Sequence, residues 1–512
     1  MVLTASNRGL GFALLALLAV TLPSAALPRP PLQVQDATTS GYQELYDHDV
    51  LILGGGVAGV IAARELHKKG AHDFLVIEGR DQLGGRMMNY ELKGGEFVEL
   101  GANWIQGVGH GNNTNPIFEL AKKYGLRTQD SDLENSITTF NSLGEHDWKD
   151  VYEKNAQYYK QLFVEAGARV SGSLVDMSAR AGYSLMGIKP ATPEEKATEY
   201  YRFDFEYAQS PDQTSWIAAA WNENHTFVPG EGGFSPESRL SIDQRGFKHV
   251  IQQEAKQFLS ESQVQLNSIV KSIAYSNSGV TVTLENGQRI SARYAICTFS
   301  LGVLQNDDVV FQPRLPKWKQ EAVHSMSMNT YTKIFMKFEK KFWFETENGL
   351  YADAERGRYP VWQSLDHPDF LEGSGILFTT VTGDFSKRIE AMTDAQVQAE
   401  VMDVLRTMYP NVDVPEPLDF YFKRWRADPL FRGSYSNWPP SLYTEHHVNL
   451  RANVGKLWFA GEATSMTHFG FLHGAYYEGE KIGAEVATCV TGGGCGGLIY
   501  TESVYNAHPY QI

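Results

Sequence analysis

Residues 49–78 constrain the fold more than any other stretch of the chain. Asp49-Val50-Leu51-Ile52-Leu53 is a short, continuously apolar run, the pattern of a parallel strand covered on both faces. Gly54-Gly55-Gly56-Val57-Ala58-Gly59 follows and places glycines at the three fixed positions of G-x-G-x-x-G. Val60-Ile61-Ala62-Ala63-Arg64-Glu65-Leu66 then reads as a helix whose small residues permit close approach to a sheet. A second apolar run, Phe74-Leu75-Val76-Ile77, ends in Glu78. In such a unit Gly54 permits the tight turn, Gly56 lets backbone amides approach a pyrophosphate, and Gly59 lets helix pack on strand. The phosphates then lie on the positive end of the helix dipole. Glu78 follows Gly59 at about the 20-residue spacing at which a carboxylate grips ribose hydroxyls. The alternative, a tight glycine turn without a ligand, explains neither the second strand nor the acid. The expectation is an α/β fold with a Rossmann-like dinucleotide-binding domain.

The next motif narrows the dinucleotide. Asp81-Gln82-Leu83-Gly84-Gly85-Arg86 offers a second glycine pair and a cation. A nicotinamide cofactor has no need of them, whereas FAD is longer and makes further contacts along its phosphates and flavin end. The chain has 512 residues and a formal net charge of −15. At roughly 150 residues per domain, that length predicts two or three domains. The acidic balance argues against nucleic acid, which demands clustered Lys and Arg. There is no Cys/His metal spacing, no Gly-x-Ser-x-Gly and no Walker loop, so metal and Ser-nucleophile chemistry are not expected.

Glu78 with Gly84-Gly85-Arg86 resembles the extended fingerprint of the flavin-dependent amine oxidase superfamily. Glu99-Leu100-Gly101-Ala102-Asn103-Trp104 is similar to that family's next block, and Trp458-Phe459-Ala460-Gly461-Glu462-Ala463-Thr464-Ser465 to its closing block. Within the superfamily the chain is most similar to the secreted polyamine oxidases. The resemblance implies a glutathione-reductase-type FAD-binding domain, discontinuous over 45–130, 236–315 and 415–490. An interleaved α+β substrate domain would span 131–235 and 316–414, with 491–512 as a tail. It implies FAD contacts at Gly54, Gly56, Gly59, Glu78, Gly84, Gly85, Arg86, Gly101, Ala102, Asn103, Trp104 and Val270, and again at Gly461, Glu462, Phe471 and Leu472. The monoamine oxidases carry a cysteine near the closing block for covalent attachment; none lies between Gly461 and Gly483 here, so noncovalent FAD is expected. Read without the resemblance, the closing block is a strand over 454–460, a loop in which Glu462 can meet a ribose or a phosphate-linked water, and a helix from Ala475 onward.

The same resemblance reverses the reading of Lys333. In the alternating run 329–338, Tyr331, Lys333, Phe335 and Lys337 share one face, and sequence alone favours a solvent-exposed strand lysine. The family's catalytic-lysine strand makes Lys333 the residue that holds a water against flavin N5, while Lys337 is expected at the surface. Aromatic side chains are by default core, but the family lines a tunnel with them, and cations attract to their faces. Substrate contacts are therefore expected at Gln106, Glu206, Tyr207, Tyr331, Tyr435 and Phe471, with Glu206 facing a distal amine. Two positions depart from the pattern. Gln106 stands where plant-like secreted enzymes carry a tunnel glutamate, so polyamine selectivity is expected to weaken. Phe471 replaces a frequent tyrosine and loses its hydroxyl.

The implied activity is oxidation of an amine of spermine, spermidine or an acetylated form to an imine, with O2 reduced to H2O2. An L-amino-acid oxidase, with Arg432 taking the carboxylate, a monoamine oxidase and a non-catalytic flavin-binding protein are the rival readings. Arg8, the apolar run 10–22 and Pro23-Ser24-Ala25-Ala26 read as a secretory signal over 1–26. Asn112 and Asn224 head Asn-x-Thr sequons, and no second apolar run is long enough for a membrane span. A secreted monomer is expected, with Cys297 a buried strand thiol and Cys489 and Cys495 able to close a small loop.

Overall fold

The computed structural model describes residues 46–440 and 443–498; the expected leader and residues 499–512 lie outside the described residues. The first apolar run forms β1 (His48–Leu53), the glycine turn follows, and α1 (Val57–Lys68) and β2 (Phe74–Ile77) complete the unit. β2 pairs parallel to β1. The segment 264–284 forms an antiparallel hairpin, β3 (Val270–Tyr275) and β4 (Val280–Leu284). β5 (Arg289–Cys297) pairs first with β4 and then, parallel, with β1, in register Val50 to Tyr294 and Leu53 to Cys297. β6 (Leu457–Phe459) joins the far end of β5 in parallel. Continuous apolarity in β1 has its cause in this layering. Val50 and Ile52 face α1 and the last helix, whereas Leu51 and Leu53 face the hairpin side.

The last helix, α2 (Leu472–Thr491), lies along α1. A Cβ on Gly479 or Gly483 would stand 2.4 Å from the Ala58 carbonyl and 2.6 Å from that of Ala62, so the two backbones meet only because small residues line both. α2 begins at Leu472, earlier than the expected Ala475. Gly474 lies in its first turn, where a Cβ would collide with the His468 carbonyl at 2.0 Å. The strand expected over 454–460 shrinks to β6, since Gly455 takes φ +58° and turns the chain before it.

A second sheet of seven strands contains Tyr331–Lys337, hydrogen-bonded to Ile376–Thr382 on one side and Asp419–Phe422 on the other. The last of these lies within 415–490, so the second sheet takes a strand from a segment assigned to the cofactor domain. All seven residues of Tyr331–Lys337 are buried. Lys337 is therefore not the surface residue expected from alternation. Both faces of this strand are covered, and its ammonium is paired with Glu96. The segment holding Phe203, Phe205 and Tyr207 is helical, with a π-turn over Tyr200–Asp204. Phe203 and Tyr207, four apart, enter the core beside Tyr183 and Trp216. Cys297 is buried and free, and Cys489 and Cys495 are joined in a disulfide. Among the described residues no helix is long and apolar enough to cross a membrane.

Candidate active site

The glycine turn opens on a cavity of about 1270 Å³, above the roughly 300–1,000 Å³ of drug-sized sites. Every residue expected to touch cofactor or substrate lines it except Gly59. Gly59 instead packs α1 on the turn, where a Cβ would meet the Gly54 carbonyl at 2.0 Å. Gly54 takes φ +112° against Thr298. At Gly56 the position a Cβ would fill is open, the nearest heavy atom being Gly85 Cα at 3.7 Å. That gap is the room a pyrophosphate requires beside the N-terminus of α1. Glu78 closes β2 with Oε2 accepting from Gly55 N–H at 2.7 Å and Oε1 from Arg80 N–H at 2.8 Å. Burial raises its pKa, and these backbone donors oppose the rise. Asn103 Oδ1, fully enclosed, has no hydrogen-bond donor, an acceptor suited to a polar group entering the cavity.

Arg86 and Glu462 come from opposite ends of the sequence and meet here. Arg86 Nη1 donates to Glu462 Oε1 at 2.9 Å and to the Ser434 carbonyl at 2.8 Å. Glu462 Oε2 accepts from Ser436 Oγ at 2.5 Å and from Gly470 N–H at 2.8 Å. Both oxygens of Glu462 thus have protein donors. Its contribution is to fix Arg86 and the loop before α2, and the expected free carboxylate for a ribose or water is not presented.

Deeper in, the strand Tyr331–Lys337 delivers Lys333. Its Nζ donates to the backbone carbonyls of Glu99 at 3.0 Å and Gly101 at 2.7 Å and lies 5.1 Å from the Trp104 ring centre. Burial pushes its pKa down, with the Glu99 carboxylate countering. Glu99 is buried too: Oε1 accepts from Phe247 N–H at 2.6 Å and Oε2 has no donor. A neutral lysine has two N–H bonds and one lone pair. With both N–H groups given to carbonyls, the lone pair is the one acceptor left at that atom.

Aromatic rings wall the adjoining space. Phe205 lies 5.5 Å from Tyr331, Tyr331 lies 5.9 Å from Tyr435, and Phe471 stacks on His473 at 4.8 Å. Tyr435 Oη donates to the Glu206 carbonyl at 2.8 Å, while Tyr207 Oη donates away from the space, to Ala219 O at 3.1 Å. Gln106 Nε2 donates to both carboxylate oxygens of Glu206 at 3.2 Å. Burial lifts the Glu206 pKa to about 8, and nearby Glu223 adds to the rise. Glu223, on the helix Trp216–Phe227, accepts from Tyr159 Oη at 3.3 Å, and burial raises it to about 7. Sequence reasoning missed Glu223 and Tyr159. The only signal at Glu223 was an acid beside a sequon, which marks no face.

A glycine-turn dinucleotide cradle leading to a buried lysine and an aromatic chamber defines a flavin-dependent oxidoreductase. Residues 57–487 match the family of flavin containing amine oxidoreductases, and the chain belongs to that family. It is an FAD-dependent amine oxidase, and its glycine cradle and orphaned Asn103 acceptor fit that cofactor. Among similar proteins, "Polyamine oxidase 7" of Oryza sativa subsp. japonica is 37% identical over 84% of this chain and 93% of its own length. "Polyamine oxidase 1" of Zea mays is 36% identical over 84% and 88%. A solved structure of wild-type putrescine oxidase bound to putrescine superposes with a TM-score of 0.68 at 19% identity. It covers 86% of this chain and 98% of that one, a likeness of fold.

Proposed function

We propose that the chain oxidises a polyamine, such as spermine, spermidine or an acetylated form, at a primary or secondary amine. The amine becomes an imine, which water hydrolyses to an aldehyde plus an amine, and the two electrons released reduce O2 to H2O2. The observation that carries this reading is the chamber beyond the cradle: aromatic faces flank two carboxylates, Glu206 and Glu223, and neither has an ion-pair partner among the described residues. The names of the similar plant enzymes support the same substrate class.

Bound FAD supplies the two-electron acceptor. On this reading Gly54, Gly56, Glu78, Gly84, Gly85 and Arg86 hold its nucleotide and phosphates, with Val270 beside the adenine. Gly101, Ala102, Asn103, Trp104, Gly461 and Leu472 surround its flavin end, all without a covalent bond. Tyr331, Tyr435, Phe205 and Phe471 orient the substrate and exclude water from the reacting carbon. Lys333 holds a water, or a proton in transit, at the lone pair left by Glu99 O and Gly101 O. The reacting nitrogen must arrive unprotonated, while a distal ammonium is held by carboxylate.

Arg432 does not serve an amino-acid substrate on this account, because Asp308 engages its guanidinium at 2.7 and 2.5 Å. Peroxide release from spermine, N-acetylspermine, benzylamine and leucine, measured in parallel, tests the reading. Preference for a polyamine is expected. Preference for benzylamine or leucine would replace the reading with a monoamine or amino-acid oxidase, and no peroxide from any would leave a flavin-binding protein. We also propose a secreted monomer. Asn112 is exposed at a hairpin tip and suits glycosylation, whereas Asn224 lies half-buried in a helix with Thr226 fully enclosed. Appearance in the culture medium with a glycosidase-sensitive mass is the expected result.

A further inference from the structure

The distal half of the chamber contains a carboxylate for which neither the cradle nor the lysine accounts. Glu223 projects from the helix Trp216–Phe227, which also sends Asn222 and Phe227 to the cavity wall. The helix Lys149–Ser171 packs beside it and supplies Tyr159, whose hydroxyl donates to Glu223 Oε2 at 3.3 Å. Tyr159 also neighbours Tyr207, the residue after Glu206, so its phenol lies near both acids. The charged groups near Glu223 are Glu206, Glu134, Arg202 and Lys160. Arg202 is held by both oxygens of Glu134, and Lys160 is exposed on the cavity wall. Neither cation forms an ion pair with Glu223, nor does any cation with Glu206, among the described residues.

Two acids that face one enclosed space without a counter-ion disfavour each other's ionisation, and a cation placed between them removes that penalty. Both line the same cavity as Lys333, and the family turns over amines. Gln106, an amide, already satisfies Glu206 on one side without cancelling its charge. Resting on the polyamine reading above, we propose that Glu223 determines specificity for the distal end of the substrate. It forms with Glu206 the seat of an ammonium remote from the reacting nitrogen. The occupant is an alkylammonium on a chain long enough to reach from the Lys333 end of the cavity to Tyr159. A monoamine leaves the seat empty.

The test uses the FAD-loaded enzyme and its Glu223→Gln and Glu223→Asp variants, assayed for peroxide with spermine and with benzylamine. Flavin absorbance in each variant reports an intact fold. In Glu223→Gln the KM for spermine is expected to rise at least tenfold while kcat falls less than threefold, and the spermine-to-benzylamine ratio of kcat/KM to drop at least tenfold. Glu223→Asp, which keeps the charge, should recover most of the ratio, and it serves as the decisive variant if Glu223→Gln loses its flavin. An unchanged ratio in Glu223→Gln, or a loss in Glu223→Asp as large as in Glu223→Gln, overturns the proposal while wild-type turnover of spermine leaves the polyamine reading intact. Wild-type enzyme that neither oxidises spermine nor is protected by it from thermal unfolding overturns both.

Discussion

Gly56 and Gly59 stand three residues apart in one turn, and the geometry predicts opposite failures when each gains a side chain. Gly56 has φ −78° and ψ −170°, which any residue adopts, and a Cβ there meets nothing closer than 3.7 Å. A valine at this position should fold normally while its methyl groups occupy the opening. Excluding phosphate from the turn removes at least two charge-assisted hydrogen bonds at about 1.5–3 kcal/mol each. The total of about 3–6 kcal/mol corresponds to a loss of FAD affinity of at least a hundredfold. Gly59→Ala meets a wall. Its Cβ would stand 2.0 Å from the Gly54 carbonyl oxygen and 3.3 Å from Ile52 Cγ2, so α1 must move off the strand end. Overpacking of this kind costs about 1–3 kcal/mol, which lowers Tm by about 2–12 °C at 2–4 °C per kcal/mol. Titration of apoprotein with FAD, followed by flavin fluorescence, and thermal unfolding of each apoprotein separate the two effects. Gly56→Val that binds FAD within threefold of wild type, or that melts as early as Gly59→Ala, would refute the cradle.

Glu206 must be ionised to hold an ammonium, and its pKa near 8 means that its contribution to lowering the KM for a polyamine grows as pH rises from 6 and levels off above 8. Two units below the pKa, loss of the Glu206 charge weakens binding about a hundredfold by simple mass action; Glu206→Gln should remove that share and leave the shallower slope set by Glu223 and the reacting amine, and a wild-type KM flat from pH 6 to 9 would contradict it. Lys333→Met removes the one side-chain amine in contact with the Glu99 and Gly101 carbonyls. If that amine positions a water or a proton, rapid-mixing measurement of flavin bleaching and recovery should show one half-reaction slowed by about 10²–10⁴-fold, and near-normal turnover would exclude Lys333 from the chemistry. Gln106→Glu would bring a second carboxylate to the 3.2 Å contact with Glu206. The expected result is a KM–pH profile displaced upward by about one unit or more, and a tenfold lower KM at pH 7 without displacement would be the wrong outcome for this account.

Local periodicity carried the first βαβ unit, because strand, turn and helix there are each determined within a few residues. The helix Asp394–Met408 is set locally in the same way, opened by the capping box of Thr393 and Gln396. Legibility ended where packing between distant segments decides. Alternation placed Lys337 on one face correctly, yet no sequence pattern says that this face is covered by the cluster around Trp425. Glu462 read as a free carboxylate because its partner, Arg86, lies 376 residues away. Tyr207 lines the cavity, but no local pattern says that the helical geometry of 205–207 sends its hydroxyl to Ala219. Glu223 faces the cavity only because its helix lies on Lys149–Ser171, a contact invisible to any local window.

The net charge of −15 bears on substrate only through the few acids that the fold encloses. Most acidic side chains meet solvent or a basic neighbour, where they act over about a Debye length and steer cations at large. Glu206 and Glu223 differ because burial, rather than a cation, sets their protonation. Gln106 is central to that difference. A glutamate in its place would force a dyad that shares a proton near neutral pH, so the site would gain an oxygen pair without gaining a full charge. An amide instead donates to both oxygens of Glu206 and pulls its pKa down, against the burial and the Glu223 charge that push it up. The second charge is then best placed at Glu223, outside hydrogen-bond contact with Glu206, where the two still oppose each other's ionisation until a shared cation removes that penalty. The substitution at 106, which read as a loss of selectivity, thus becomes part of a wider anionic seat.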